Sequence, residues 1–534
     1  MQNYEKQYFL FLLYNIAMKN NKLNAKKTNI VLRFLRKLGA VRYIFIIYIL
    51  FTILISLLLF WNVSHKSDLK EPIKYIDALF VSSSAFSDTG LTPVIISKTF
   101  NEFGQFLIAL SIVVGGIGIF TFKIYIFQSI LGLKSNIFSN MVSQTERGTI
   151  TVSETRKMIK VAISFLIITT VIASFVFTMI LYLKPNDNFV TEELATTNPI
   201  LFNNKVVMKA EEIPYNNFLQ SLKYGIFHAI SSINNAGFDL FGDKSLQPFY
   251  NDYAFQTATI ITFLIGGIGF PVIYDIWKKI QSIKKDQPNH RFHLFTKFTI
   301  ITYLITTVLA FGLSVILEYA SKSNATFWYQ KEYGTIGDKL FAIYFQVSST
   351  RSAGFSTVNY YNFTHSTVLL HSILMFIGFS PVSTAGGIRN TTIAVIFLSI
   401  VTMMTGRKRI NAFKRQIGKE TLIKAVNVFA LAILLVFIVS IVSYSTLPDN
   451  TKLLDNSNYP MIYASFEACS AFGNTGLTTG LSSHSNNLHI AGKLSLISIM
   501  IIGQFGIPQT IKIFGRGKPA PEHYQYIYED VSIG

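Results

Sequence analysis

One cysteine, Cys469, stands in 534 residues. A disulfide within the chain and a cysteine-built metal site are both excluded by that count. Charge is also scarce: 14% of residues are charged, where a soluble domain carries about 25%. No Walker A motif and no dinucleotide fingerprint is present, so no nucleotide cofactor is expected in this chain. HExxH and GxSxG are missing, and no convincing pair of carboxylates lies within an apolar run, so an enzyme is not expected. A cleavable leader is not expected either. Phe9–Met18 is apolar but short, and its basic residues follow rather than precede it; it reads equally as an interfacial or a cytosolic helix.

Apolar sequence is plentiful. Half the residues are hydrophobic and mean hydropathy is +0.40, which makes this a polytopic membrane protein in contact with the lipid bilayer. The formal charge of +19 suggests nucleic acid at first sight. The basic residues, however, fall in short clusters between apolar runs, as the positive-inside rule requires, and no nucleic-acid partner is expected.

The clusters order the chain. Residues 1–42 form a basic cytoplasmic segment with Lys19, Lys22, Lys26, Lys27, Arg33, Arg36, Lys37 and Arg42. A unit then recurs four times, over 43–131, 161–277, 298–404 and 422–516, and 517–534 is a short cytoplasmic tail. Each unit reads as a span, a helix too short to cross, a glycine loop and a returning span. In the first, Tyr43–Trp61 approaches the ~20 apolar residues a bilayer core needs, Ile73–Ser87 is the short helix, and 103–131 returns. The other short helices are Phe218–Asn234, Gly337–Thr350 and Pro460–Phe472; Tyr253–Trp277, Thr367–Met404 and Leu488–Phe514 return. Basic residues from Lys134 to Lys160, Lys278 to Lys297, Arg407 to Lys419, and Arg516 with Lys518 mark one side each time. The predicted topology has eight spans, both termini cytoplasmic, and four loops outside. Lys184–Asn217 is a longer outer insert to which no role is assigned.

The loops are SSSAFSDTGLTPV, SSINNAGFDL, SSTRSAGFSTV and CSAFGNTGLTTG. Each places a small or polar residue before glycine: Thr89-Gly90, Ala236-Gly237, Ala353-Gly354 and Thr475-Gly476. Glycine at such a position signals backbone that other residues adopt only under strain. Non-helical backbone at membrane depth is tolerated only where protein buries it or where it lines a water-filled cavity. Four loops on one axis would offer rings of carbonyl oxygens able to replace the water shell of a monovalent cation, with half-helix C-termini favouring positive charge. The expected fold is therefore all-α and integral to the membrane, with four tandem repeats set pseudo-four-fold around one central pore. Asp88 and Asp239, which flank two loops, read equally as mouth carboxylates that concentrate cations and as solvated loop residues. A second glycine cluster lies in each returning span: Gly115-Gly116-Ile117-Gly118, Gly266-Gly267-Ile268-Gly269, Gly386-Gly387 and Gly503-Gln504-Phe505-Gly506. Small residues there allow close helix approach or loss of helical geometry.

FVSSSAFSDTGL, FHAISSINNAGF, FQVSSTRSAGF and FEACSAFGNTGLTTG together resemble the Trk/Ktr/HKT superfamily of potassium transporters. The likeness spans residues 40 to 516 and is strongest to the bacterial Ktr-type membrane subunit. It implies a selectivity filter of backbone carbonyls at Thr89, Gly90, Ala236, Gly237, Ala353, Gly354, Thr475 and Gly476, holding the transported potassium. A serine at the first glycine accompanies sodium preference in that superfamily; glycine at all four favours potassium. The segment Gly378–Arg389, broken by Pro381, cannot be a regular helix. The resemblance makes it an intramembrane gate loop with Ser380, Ser383, Thr384, Gly386 and Gly387. The superfamily usually carries an arginine in the fourth returning span where this chain has Gln504, so a different closure is expected. The resemblance further implies a homodimer in the bacterial plasma membrane, and a separate cytosolic nucleotide-binding ring subunit. Membrane potential is the expected driving force for uptake, and sodium dependence is compatible with the same pattern. A sodium-selective relative and a secondary carrier with inverted repeats are the alternatives. Arg351 is expected to brace loop backbone and Glu467 to bond it. His228 and Cys469 are expected to pack, and Asp275 to end a helix in solvent.

Overall fold

The computed structural model describes residues 40–67, 69, 72–116, 152–191, 205–284, 290–381, 383–447 and 460–515. The helix expected at Phe9–Met18, the connection carrying Lys134 and Arg147, Gly118, most of the insert's acidic centre and the tail from Arg516 lie outside the described residues. Two compact units are distinguished. In the one formed by Met1–Leu50 and Pro508–Gly534, Arg42 donates to the carbonyls of Ile513 (2.8 Å) and Gly515 (2.6 Å). A guanidinium is favourable there, because carbonyls at a helix C-terminus are left unpaired.

The larger unit, Phe51–Ile507, is almost wholly helical. Its elements, with the helices that run into it, are α1 (Ala40–Phe60), α2 (Tyr75–Phe86), α3 (Glu102–Gly116), α4 (Val152–Leu183), α5 (Phe218–Ile233), α6 (Tyr253–Gly267), α7 (Phe270–Lys284), α8 (Leu294–Ala320), α9 (Ile336–Ser349), α10 (His365–Phe376), α11 (Asn390–Met404), α12 (Lys419–Ser445), α13 (Met461–Gly473), α14 (Ile490–Phe505) and α15 (Ile507–Phe514). Among the described residues, three unbroken helices are long and apolar enough to cross a membrane: Lys157–Leu183, Leu294–Ala320 and Lys419–Ser445. Their outward faces carry exposed Val171, Phe175, Val308, Leu309, Leu434 and Phe437, a surface suited to lipid and not to water.

The short helices α2, α5, α9 and α13 lie within two residues of their predicted bounds. Their starts are set locally. Asn217 accepts from the Gln220 N–H at the head of α5, and Thr335 and Asp338 form a reciprocal capping box at the head of α9. The returning spans differ from expectation. Tyr253–Trp277 is not one helix: α6 and α7 meet at a 96° bend, with Gly269 at φ +89°. The fourth returning span breaks at Gly506, φ +77°, between α14 and α15. The third breaks fully, with no helix among the described residues between Phe376 and Asn390.

The second glycine clusters explain the close packing. A Cβ on Gly115 would stand 2.3 Å from the Phe86 carbonyl oxygen. On Gly266 it would stand 1.8 Å from that of Ile233, and on Gly503 2.1 Å from that of Phe472. In three units the returning helix thus abuts the last turn of its own half-helix, at a distance only glycine permits. The third pair, Gly386 and Gly387, belongs to the helix-free segment and docks elsewhere.

The insert forms a short parallel pair, β1 (Phe189–Thr191) with β2 (Val206–Met208). Asn186 and Asn188 tie it to the Pro248 carbonyl, and Lys66 pairs with Glu212 at 2.5 Å.

Candidate functional site: a ring of four glycine loops

Each loop turns at the end of a half-helix, and the four turns share one pattern. Gly90, Gly237, Gly354 and Gly476 have φ of +95°, +69°, +79° and +92°. Two residues earlier, Asp88, Asn235, Ser352 and Asn474 also have positive φ, at +54°, +55°, +118° and +48°. Left-handed backbone at alternate residues is what sequence reasoning missed. The signal was there: Asn and Asp are the side chains that best tolerate it, and three of the four positions carry one.

The loops meet in sequence order and close on themselves. A Cβ on Gly90 would stand 2.5 Å from the Ala236 oxygen, and one on Gly237 would stand 3.0 Å from Gly354 Cα. On Gly354 it would be 2.1 Å from the Thr475 oxygen, and on Gly476 2.1 Å from the Thr89 oxygen. Each glycine therefore touches the next loop, and the fourth touches the first.

Hydrogen bonds direct the amides of this ring back toward the half-helices. The N–H groups of Thr89, Ala236 and Thr475 donate to the carbonyls of Ser84, Ser231 and Ser470, and that of Ala353 to Ser349, all within 2.8–2.9 Å. The Gly90 and Gly476 amides donate to the hydroxyls of Ser84 and Ser470, both at 3.1 Å. The carbonyls behave oppositely. Thr89, Gly90, Ala236, Gly237, Ala353, Gly354, Thr475 and Gly476 are all buried, and among the described residues none of their eight oxygens receives a hydrogen bond. Buried backbone carbonyls are nearly always paired, so eight bare ones in one ring call for a ligand.

Side chains brace the ring from behind. Glu467, fully buried, accepts from the Thr478 hydroxyl (2.5 Å), the Thr479 N–H (2.9 Å) and the Ser482 hydroxyl (2.9 Å), so it does bond loop backbone. The Asn474 Nδ2 stands 2.9 Å from the Ser87 carbonyl, 2.9 Å from the Thr89 hydroxyl and 3.1 Å from the Met500 carbonyl, its two N–H groups shared among the three, which joins the fourth loop to the first. His228 packs among Phe177, Phe241, Phe255 and Phe355, and Cys469 is buried in α13. A buried ion pair missed in the sequence links the first and fourth units: Lys493 on α14 meets Asp77 on α2 at 2.5 Å, with Ser485 bonded to both.

The helix-free segment lies against the base of the ring. Its Gly386 and Gly387 amides donate to Gly473 (3.2 Å) and Phe472 (2.9 Å), the terminal carbonyls of α13. A Cβ on Gly386 would stand 1.9 Å from Asn474 Oδ1. The Thr384 hydroxyl bonds the Asn235 side chain at 3.0 Å; that amide also donates to the Phe263 carbonyl and accepts from the Gly267 N–H. Ser380 and Ser383 stay within the segment, with Ser383 donating to the Ser380 carbonyl at 2.7 Å. Arg351 braces backbone, but that of this segment rather than its own loop: it donates to the Gly378 carbonyl at 3.2 Å. Gln504 approaches the first loop and donates to Asp88 at 3.3 Å.

Two carboxylates stand elsewhere than the sequence suggested. Asp88 is not at a mouth; it is fully buried behind the first loop. Asp275 is not solvated; it is buried and accepts from His290 (2.6 Å), His293 (2.8 Å) and Thr296 (2.7 Å). It serves as the anchor for the head of α8. Asp239 is half-buried and accepts from the Phe241 N–H at 3.0 Å.

Apolar lipid-facing helices around a ring of bare carbonyls define a helical membrane protein of the cation-handling class. Residues 9–516 match the family model for TrkH, described as a cation transport protein, and the chain belongs to that family. It is 32% identical over 464 residues to the Ktr system potassium uptake protein D of Bacillus subtilis, covering 86% of this chain and 90% of that protein. It is also 32% identical over 507 residues to an uncharacterized cation transporter of Mycoplasma genitalium, covering 87% and 89%. The solved structure of the potassium transporter TrkH from Vibrio parahaemolyticus shares the fold, with TM-score 0.56, 18% identity and coverage of 83% and 79%. These relatives are transporters, not enzymes.

Proposed function

We propose that this protein takes up potassium through a channel-like pore whose selectivity filter is the carbonyl ring at Thr89-Gly90, Ala236-Gly237, Ala353-Gly354 and Thr475-Gly476. Eight buried carbonyls that receive no hydrogen bond among the described residues carry the reading: a dehydrated monovalent cation is a ligand that satisfies oxygen acceptors from four sides at once. The relatives named as potassium uptake proteins support the choice of ion. So does glycine at all four positions, since the neighbouring loops leave no room for a side chain. The four units surround the axis pseudo-four-fold, and each chain carries its own pore.

The segment between Phe376 and Asn390 acts as the gate. It is held to the ring by few bonds, through Gly386, Gly387, Thr384 and the Gly378 carbonyl that Arg351 bonds, so it can leave without unfolding a helix. Gln504 contributes a neutral contact at the same level. One charge crossing 100 mV gains about 2.3 kcal/mol, so the membrane potential suffices as driving force, with sodium a candidate modulator. The working assembly is a homodimer in the bacterial plasma membrane with both termini cytoplasmic and a separate nucleotide-binding ring subunit beneath it. Complementation of a potassium-uptake-deficient bacterium, with and without a ring subunit, tests this. Growth at low potassium that Gly237→Ser abolishes supports the proposal; growth that survives the change contradicts it.

A further inference from the structure

Four equivalent positions precede the ring glycines by two residues, and they are not chemically alike. Asn235, Ser352 and Asn474 are neutral; Asp88 is the one acid. Its carboxylate is fully buried. One oxygen accepts from Gln504 Nε2 at 3.3 Å, a long contact. The other, Oδ1, has no hydrogen-bond partner among the described residues, and neither has the Gln504 Oε1. No lysine, arginine or histidine of the described residues forms an ion pair with Asp88. The Gln504 Oε1 is itself buried, so neither unpartnered oxygen is satisfied by open solvent.

An uncompensated carboxylate at membrane depth is costly and marks function by default. Breaking a buried pair is strongly unfavourable because it leaves a lone charge; here the described residues supply no cationic partner at all. Two unpartnered oxygens, Asp88 Oδ1 and Gln504 Oε1, come from side chains already in contact. Oxygen donors of this kind, one of them charged, suit a hard cation. The adjoining residue, Thr89, contributes a bare carbonyl to the ring, so the pair sits one residue from the filter.

We propose that Asp88 and Gln504 form a binding site for the transported alkali cation on the half-helix side of the ring, the cation serving as the counter-charge of Asp88. This deepens the reading of the ring as a filter and rests on it. Asp88 would raise local cation occupancy before or after the filter. Gln504, by being neutral, leaves the place open; a cation fixed at 504 would fill it.

The test is rubidium uptake against concentration in a potassium-uptake-deficient bacterium expressing the full chain. Wild type should show saturable uptake; its absence would overturn the filter reading itself. Given wild-type uptake, Asp88→Asn should raise KM about tenfold, with a smaller change in maximal rate, through loss of a nearby charge at low dielectric. Asp88→Glu should recover most of the wild-type KM. Wild-type KM in Asp88→Asn would overturn the site while leaving the filter standing. Should Asp88→Asn fail to reach the membrane, Gln504→Lys decides. A tethered ammonium beside Asp88 should cut uptake by about tenfold or more; unchanged uptake in that folded variant overturns the proposal.

Discussion

At the residue scale, the ring and the helix packing rest on positions where an added methyl group forces the neighbouring backbone to shift. Gly354 is one: a Cβ would lie 2.1 Å from the Thr475 oxygen, on backbone with φ +79°. Gly354→Ser is expected to fold yet lose most of its discrimination of potassium over sodium, read as competition of sodium with rubidium uptake. Gly266 is another, with 1.8 Å to the Ile233 oxygen. Gly266→Ala should lower stability by about 1–3 kcal/mol, seen as a lower Tm of the purified protein. Lys493→Ala leaves Asp77 buried without its cation, held only by the Ser485 hydroxyl, and should destabilise by about 3–5 kcal/mol. The ring glycines were legible in the sequence because a residue without a Cβ, recurring after four short helices, marks backbone that side chains resist. The partners of Asp88 and Asp275 were not legible. A carboxylate beside a loop looks the same in sequence whether water or two histidines surround it, and Gln504 meets Asp88 across 416 positions.

At the element scale, the half-helices were readable to within two residues because their lengths and polarity set them apart from spans. The returning helices were misjudged for a physical reason. Tyr253–Trp277 has the hydropathy of a continuous span, and hydropathy does not register that Gly269 turns the chain. The third returning span was the exception: proline and glycine together in Gly378–Arg389 remove the option of helix. That segment's attachment yields a prediction. Arg351→Gln removes the charge-assisted bond to the Gly378 carbonyl, worth about 1.5–3 kcal/mol. If the segment gates, the variant should pass more rubidium at rest than wild type, measured without the ring subunit; a resting flux equal to wild type would indicate that Arg351 holds the segment only as scaffolding.

At the scale of the whole molecule, the architecture follows from a conflict the membrane imposes. Unpaired backbone cannot face lipid, yet the proposed filter needs unpaired oxygens. Closing four loops on one another resolves it, since each loop is sheltered by the next, and the half-helices absorb the amides. The charge pattern is the basis on which the sequence is divided into four units, because positive clusters recur at each return. It carried no information on which unit touches which; that comes from the order in which Gly90, Gly237, Gly354 and Gly476 abut.

The most direct measurement is the position of a heavy potassium substitute. Thallium soaked into crystals of the protein should give an anomalous peak on the axis enclosed by Thr89-Gly90, Ala236-Gly237, Ala353-Gly354 and Thr475-Gly476, equidistant from their carbonyl oxygens. Full occupancy elsewhere in the molecule, with that axis empty, would contradict the account.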